Sequence, residues 1–254
     1  MRLGVLTRDD PEEMSREIVQ TVVNVLEDSL QERSRATVFL AGGSTPRPIY
    51  ELLARDFGQK LPWERIRLFW GDERWVQPDD PLSNQRMARE ALIAGVPIPP
   101  RNVFPIPTDG APEEAAAQYD RLLREQFAEP TARPDLVLLG LGPEGHTASL
   151  FPQSPALSDK NRWATAVRVN AAPPQRLTVT LGFINRARHV FFLVAGEKKA
   201  DIVRKILVEE PTVEQCPASG VRPIEGELTW WLDAASTARL PRFFRPSGRE
   251  RVST

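Results

Sequence analysis

Short apolar runs that end in polar, glycine-bearing segments, each followed by an amphipathic stretch, recur along this chain and set the tightest limit on its fold. Residues 36–41, ATVFLA, lead into GGSTP, and residues 66–70 lead into GDERWV, which reads as a polar loop. Residues 136–141 lead into GPEGHTAS, and residues 190–195 lead into GEKK. Apolar runs of this length suit strands buried on both faces. Helical periodicity fills the intervals. Met14, Ile18, Val22, Val25, Leu26 and Leu30 recur at spacings of three and four, one face of a helix over 12–30. Ile49, Leu52 and Leu53 form the apolar face of a second helix that tolerates Pro46 in its first turn, with Ser44 or Thr45 as cap. Ser83 is placed to cap a helix reaching about Ile93, residues 112–127 are helical in character, and a further helix follows GEKK to about Val208. Residues 163–169 and 177–181 are also strand-like. Such alternation predicts an α/β fold with a mostly parallel sheet and helices on both faces. Ligands of such sheets bind beyond the carboxyl ends of the strands, so the polar segments GGSTP, GDER, GPEGHT and GEKK are expected to converge on one crevice.

Composition narrows the function classes. The 254 residues carry 33 Lys plus Arg against 34 Asp plus Glu, so no broad field favours nucleic acid or an anionic membrane. One cysteine excludes a disulfide framework and a cysteine-rich zinc module. No apolar run approaches the ~20 residues that span a bilayer, and the N-terminus, MRLGVLTRDDPEEM, has acids where a signal peptide needs an apolar stretch. A cytoplasmic protein is expected. The 24 prolines are scattered and punctuate connections, with no fixed repeat or disordered tract. Residues 241–254, with four arginines and one acid, are expected to form a frayed basic tail beyond a single domain over 1–240.

Each polar segment has a chemical reading and a plainer one. GGST between strand and helix offers backbone N–H groups and the hydroxyls of Ser44 and Thr45 to a phosphate, or is a tight turn with an ordinary cap. It lacks the GxxxxGK[ST] pattern of a Walker loop. GLGPEG formally matches GxGxxG, but Pro143 removes a donor and the next strand-like run holds no carboxylate for a ribose, so a dinucleotide site is not expected. His146, on the turn after a strand, is a candidate general base or a loop histidine bonded to backbone. His189 opens a strand and reads as structural, and no carboxylate stands at ligand spacing for a histidine metal site. Asp72, Glu73 and Arg74 could orient an imidazole or present a guanidinium to an anionic oxygen, or simply be solvated. Lys198 and Lys199 open a helix against its dipole, which makes more sense if an anion binds there.

Taken in order, FLAGGSTP, WGDERWV, PLSNQRMA, LGLGPEGHTASLFP, PPQRLTVTL, GEKKA and PASGVRP resemble the 6-phosphogluconolactonase family over about residues 12–236. The resemblance implies one α/β domain with a mostly parallel, Rossmann-like sheet. It implies hydrolysis of 6-phospho-D-glucono-1,5-lactone in the oxidative pentose phosphate pathway, with no cofactor or metal and no partner beyond the small-molecule substrate. The chain would be a monomer or small homo-oligomer. Gly43, Ser44 and Thr45 would line the phosphate pocket, with Arg176 and Lys199 supplying charge; Lys199 is chosen over Lys198 because it directly precedes Ala200. His146 would be the base, with Asp72 and Arg74 flanking the sugar ring. The family usually carries Asp where this chain has Glu144, and no role is assigned to that position. Glucosamine-6-phosphate deaminases share the fold but carry an Asn-Gly-His-Ile type of sequence where this chain has TASLFP. A non-catalytic sugar-phosphate sensor would leave His146 and GDER unexplained.

Overall fold

The computed structural model describes residues 2–129 and 132–244. In chain order the first half forms β1 (Arg2–Arg8), α1 (Pro11–Arg33), β2 (Ala36–Leu40), α2 (Pro46–Phe57), β3 (Ile66–Trp70), β4 (Asp72–Arg74), α3 (Asn84–Ala91), β5 (Val103–Phe104) and α4 (Pro112–Gln126). There follow β6 (Leu136–Leu139), β7 (Ala164–Arg168), β8 (Gln175–Val179), α5 (Leu181–Ile184), β9 (His189–Val194), α6 (Ala200–Val208) and β10 (Glu227–Asp233).

Among the described residues, seven strands make one wholly parallel sheet in the order β1-β10-β9-β6-β2-β3-β5. Both faces are covered, which is why its central strands read as continuous apolar runs. On one face Val38, Leu40, Ile66, Leu68 and Leu138 meet Val22 and Leu26 of α1 and Ile49 and Leu53 of α2. On the other, Phe39 stacks on Phe69 at 4.9 Å between centroids, and both pack against Phe127 at the end of α4. Phe183 of α5 meets Phe39 edge-on at 5.2 Å. The six apolar residues predicted for the face of α1 are all buried, and Asp10 caps that helix by accepting from the N–H groups of Glu12 and Glu13.

Several expectations are corrected. GDER is not a loop: Asp72–Arg74 is a strand in a second, antiparallel sheet, β4-β8-β7, where it pairs with residues 176–178. Leu181 does not close a strand but opens α5, whose first turn Thr180 caps by accepting from Phe183 N–H. The edge strand β1 and its neighbour β10, parallel from Arg2 against Glu227 to Arg8 against Asp233, were not expected. β1 is partly exposed throughout and shows no apolar run, while its partner lies more than 200 residues away. Residues 245–254 of the expected tail lie outside the described residues; Arg242–Phe244 forms one 3-10 turn. Among the described residues no helix is long and apolar enough to cross a membrane.

Candidate active site

Strand order reverses at the centre of the sheet: β3 and β5 extend it on one side of β2, while β6, β9, β10 and β1 lie on the other. Loops leaving β2 and β6 therefore part, and a crevice opens between them at the carboxyl ends. A cavity of about 290 Å³ lies there. Gly43, Ser44 and Thr45 after β2, Asp72 and Arg74 of β4, His146 after β6, Arg176 of β8 and Lys199 after β9 all line it. His189 lies elsewhere, at the amino end of β9, 3.7 Å from Glu227.

Two tyrosines hold the strand ends that carry the site. Tyr50 Oη of α2 accepts from Ala41 N–H and donates to Ala41 C=O, both at 2.9 Å. Tyr119 Oη of α4 does the same for Trp70, at 3.1 and 3.0 Å. Each ring is fully buried, so the hydroxyl satisfies backbone groups that the end of a strand leaves unpaired.

The GGST segment turns at Gly43, whose φ of +100° favours glycine. At Gly42 a side chain would collide with Asn84, whose Oδ1 lies 1.8 Å from where a Cβ would stand. The expected side-chain cap is absent. Thr45 occupies the cap position in helical conformation and makes no cap bond. Capping uses the N–H of the second or third helical residue, and the third here is Pro48, which has none. With prolines at two of the first three helical positions, α2 has few free N–H donors at its N-terminus.

The carboxylate of Asp72 is held on both oxygens: Oδ2 accepts from Ser149 Oγ at 2.6 Å and Oδ1 from Asn84 Nδ2 at 3.3 Å. The same amide donates to Asp72 C=O at 2.9 Å, which sets its orientation. Glu73 points the other way and is wholly buried. It accepts from the N–H groups of Asn84, Gln85 and Arg74 at 2.7–2.8 Å and from Ser83 Oγ at 3.2 Å. Burial raises its carboxyl above the usual range despite these donors. Neither acid bonds the imidazole, contrary to one sequence expectation; Glu73 anchors the N-terminus of α3, and α3 in turn presents Asn84 to Asp72.

Cations line the same cavity. Antiparallel pairing sets Arg74 directly against Arg176. Like charges opposite each other on strands are destabilising unless something compensates. Their hydrogen bonds go to backbone carbonyls, Arg74 to Leu82 and Arg176 to Pro173 and Ala172, and Arg74 Nε is buried without a partner. Burial, and after it Arg74, push the Arg176 guanidinium below its ordinary range. Lys199 donates to Leu141 C=O at 2.6 Å and is likewise lowered by burial.

His146 is mostly buried, and desolvation lowers its pKa below the ordinary 6.5. Glu144 and Asp72 oppose that shift, and Arg176 adds to it. Glu144 Oε2 lies 3.2 Å from Nδ1, a contact that favours the charged ring although its angle is poor for a hydrogen bond. A buried, neutral imidazole beside several cations is equipped to accept a proton near an anionic ligand. Sequence reasoning missed Asn84, Ser149 and Phe151 as parts of the site. Their signal was present, since Asn84 lies in PLSNQRMA and the other two in GHTASLFP, but residue types alone did not reveal what they touch.

The family model for glucosamine-6-phosphate isomerases/6-phosphogluconolactonase matches residues 9–230. A 6-phosphogluconolactonase of Synechocystis sp. is 48% identical over 216 residues, 84% of this chain and 88% of the relative. One from Mycobacterium leprae is 38% identical over 228 residues, 87% and 91% of the two chains. The crystal structure of 6-phosphogluconolactonase from Thermotoga maritima superposes with a TM-score of 0.80 at 33% identity, covering 91% of this chain and all of the other. A glucosamine-6-phosphate deaminase matches at 23% identity with a TM-score of 0.78 and shares the fold. With most of its length matched by the family model and by relatives well above 30% identity, the chain belongs to the glucosamine-6-phosphate isomerase/6-phosphogluconolactonase family.

Proposed function

We propose that this protein hydrolyses 6-phospho-D-glucono-1,5-lactone to 6-phospho-D-gluconate, the lactone-opening step of the oxidative pentose phosphate pathway, with His146 as general base. The observation that carries the reading is the pairing of Arg74 against Arg176, with Lys199, in the cavity that holds a neutral imidazole. Asp72 and Glu144 already act on Arg176, and Glu144 on Lys199, but three cations around one cavity suit the further charge of a phosphate ester, and a lactone carbonyl supplies the electrophile. The 6-phosphate binds the loop N–H groups and hydroxyls of Gly43, Ser44 and Thr45 together with Arg176 and Lys199. Anchoring there places C1 near His146 and converts hydrolysis into an oriented, effectively unimolecular event. With Nδ1 buried, Nε2 is the nitrogen that takes a proton from water as its oxygen attacks C1. Arg74 and loop N–H groups stabilise the resulting oxyanion. Collapse breaks the bond from C1 to the ring oxygen, which receives the proton from the imidazolium, and the new carboxylic acid ionises. Asp72, clamped by Ser149 and Asn84, borders the sugar ring and favours the imidazolium electrostatically.

The direct test is proton release on adding freshly generated lactone, followed against spontaneous opening. A rate no faster than background refutes the proposal. Ammonia release from glucosamine 6-phosphate would assign the chain to deaminase chemistry instead, and ligand binding without turnover would make it a sensor.

A further inference from the structure

The one side-chain acceptor beside Nδ1 of His146 is the half-exposed Glu144 carboxylate at 3.2 Å, a weak hold on the ring. Packing supplies a second. The chain reverses tightly after His146, with Leu150 N–H donating to Thr147 C=O at 2.9 Å, and so returns Phe151 to the histidine. The two rings stack with centroids 4.0 Å apart and planes within 15°. Gly142 closes on the Nδ1–Cε1 edge, where a Cβ would stand 2.0 Å from Nδ1. This explains the middle glycine of GLGPEG, which makes room for an imidazole and not for a dinucleotide. Over the same Phe151 ring lies the Arg176 guanidinium, 5.7 Å from its centroid.

We propose that Phe151 is the positioning residue of the site, holding the His146 ring in its working plane and stabilising the imidazolium through its π face. The inference rests on His146 as the base, but its structural half does not. Offset ring stacking and cation–π contact each favour the arrangement, the second only once the imidazole is charged. Charged groups acting on the ring are Glu144, Asp72 and Arg176, with Lys199 on the same cavity beside Glu144. Arg176 also lies over the Phe151 ring, so any displacement of it is read separately, as a rise in KM for the phosphate-bearing lactone.

Phe151→Leu and Phe151→Met remove the π face at similar bulk, and Phe151→Tyr retains it. Two readouts are taken on each: the His146 ring-proton NMR titration, and kcat and KM for the lactone. For Leu and Met the expectation is loss of the ring-current shift at His146, a lower imidazole pKa, and kcat lowered about ten- to a hundredfold by misplacement of the base with little change in KM. Tyr should recover most of both. An unchanged His146 titration in Leu or Met overturns the proposal, as does an equal loss of kcat in Tyr. Should Leu fail to fold, Met carries the same test, and if both fail while Tyr folds and keeps a changed His146 spectrum, positioning by the ring is refuted. If His146→Ala proved fully active, the base assignment would fall, while the NMR result would still decide whether Phe151 holds the ring.

Discussion

Replacing Glu73 by alanine should cost far more stability than removing an average glutamate, although Glu73 takes no part in the chemistry. Its carboxylate satisfies three backbone N–H groups and the Ser83 hydroxyl from a position with no exposed surface. Each buried donor left without an acceptor costs about 1–3 kcal/mol. The vacated space admits roughly one or two waters that recover part of this, which leaves a net loss of about 3–5 kcal/mol. For a chain of this size that corresponds to a melting temperature lower by roughly 6–20 °C. Urea unfolding followed by circular dichroism measures it, with exposed Glu27→Ala as a control expected within about 0.5 kcal/mol of the parent. Because burial raises the folded-state pKa of Glu73, its contribution is fullest below the ordinary carboxyl value of 4.5 and declines as pH rises through the raised value. The deficit of the variant should therefore be larger in acid than at neutral pH. A loss below about 1 kcal/mol at neutral pH would refute the anchoring argument.

His146→Ala should lower kcat by about 10²–10⁴-fold with KM little changed, and near-normal kcat would remove His146 from the chemistry. Since the neutral imidazole is the active form and burial lowers its pKa, activity should persist below pH 6.5, the ordinary histidine value, before falling; Glu144→Gln, which removes a carboxylate favouring the charged ring, should move that acid limb lower still. Lys199→Ala should raise KM by about tenfold or more through loss of a charged phosphate contact, and an unaltered KM would rule that contact out. Tyr50→Phe should destabilise the protein by about 1–3 kcal/mol in the same unfolding assay, because both polar groups of Ala41 lose their partner; an unchanged midpoint would show that water replaces the hydroxyl.

Local periodicity was enough to find the parallel strands β2, β3, β6 and β9 that carry loops of the site, but not β4, which carries Asp72 and Arg74. A run such as ATVFLA has no charged position, and its one hydroxyl, Thr37, is paired with Asp135, because helices cover both faces of β2. The polar segments at the strand ends were equally plain, since glycine, hydroxyl and charged residues serve a buried strand poorly. What residue type could not disclose was long-range pairing. That DER is a strand depends on residues 176–178 lying beside it, a hundred residues downstream, and the apposition of Arg74 and Arg176 exists only through that register. The same holds for β1, whose half-exposed side chains carry no signal until β10 is paired with it.

Charged residues divide along the same line. Asp72 and Glu73 are neighbours in sequence with nearly the same chemistry, yet strand alternation sends one to the cavity and the other into the interior beneath α3. Side-chain identity told which groups were able to bind an anion or move a proton. Which of them meet, and which face of the strand each occupies, were settled by the packing of distant segments, because contacts of that kind follow from the whole sheet and from no local stretch of it.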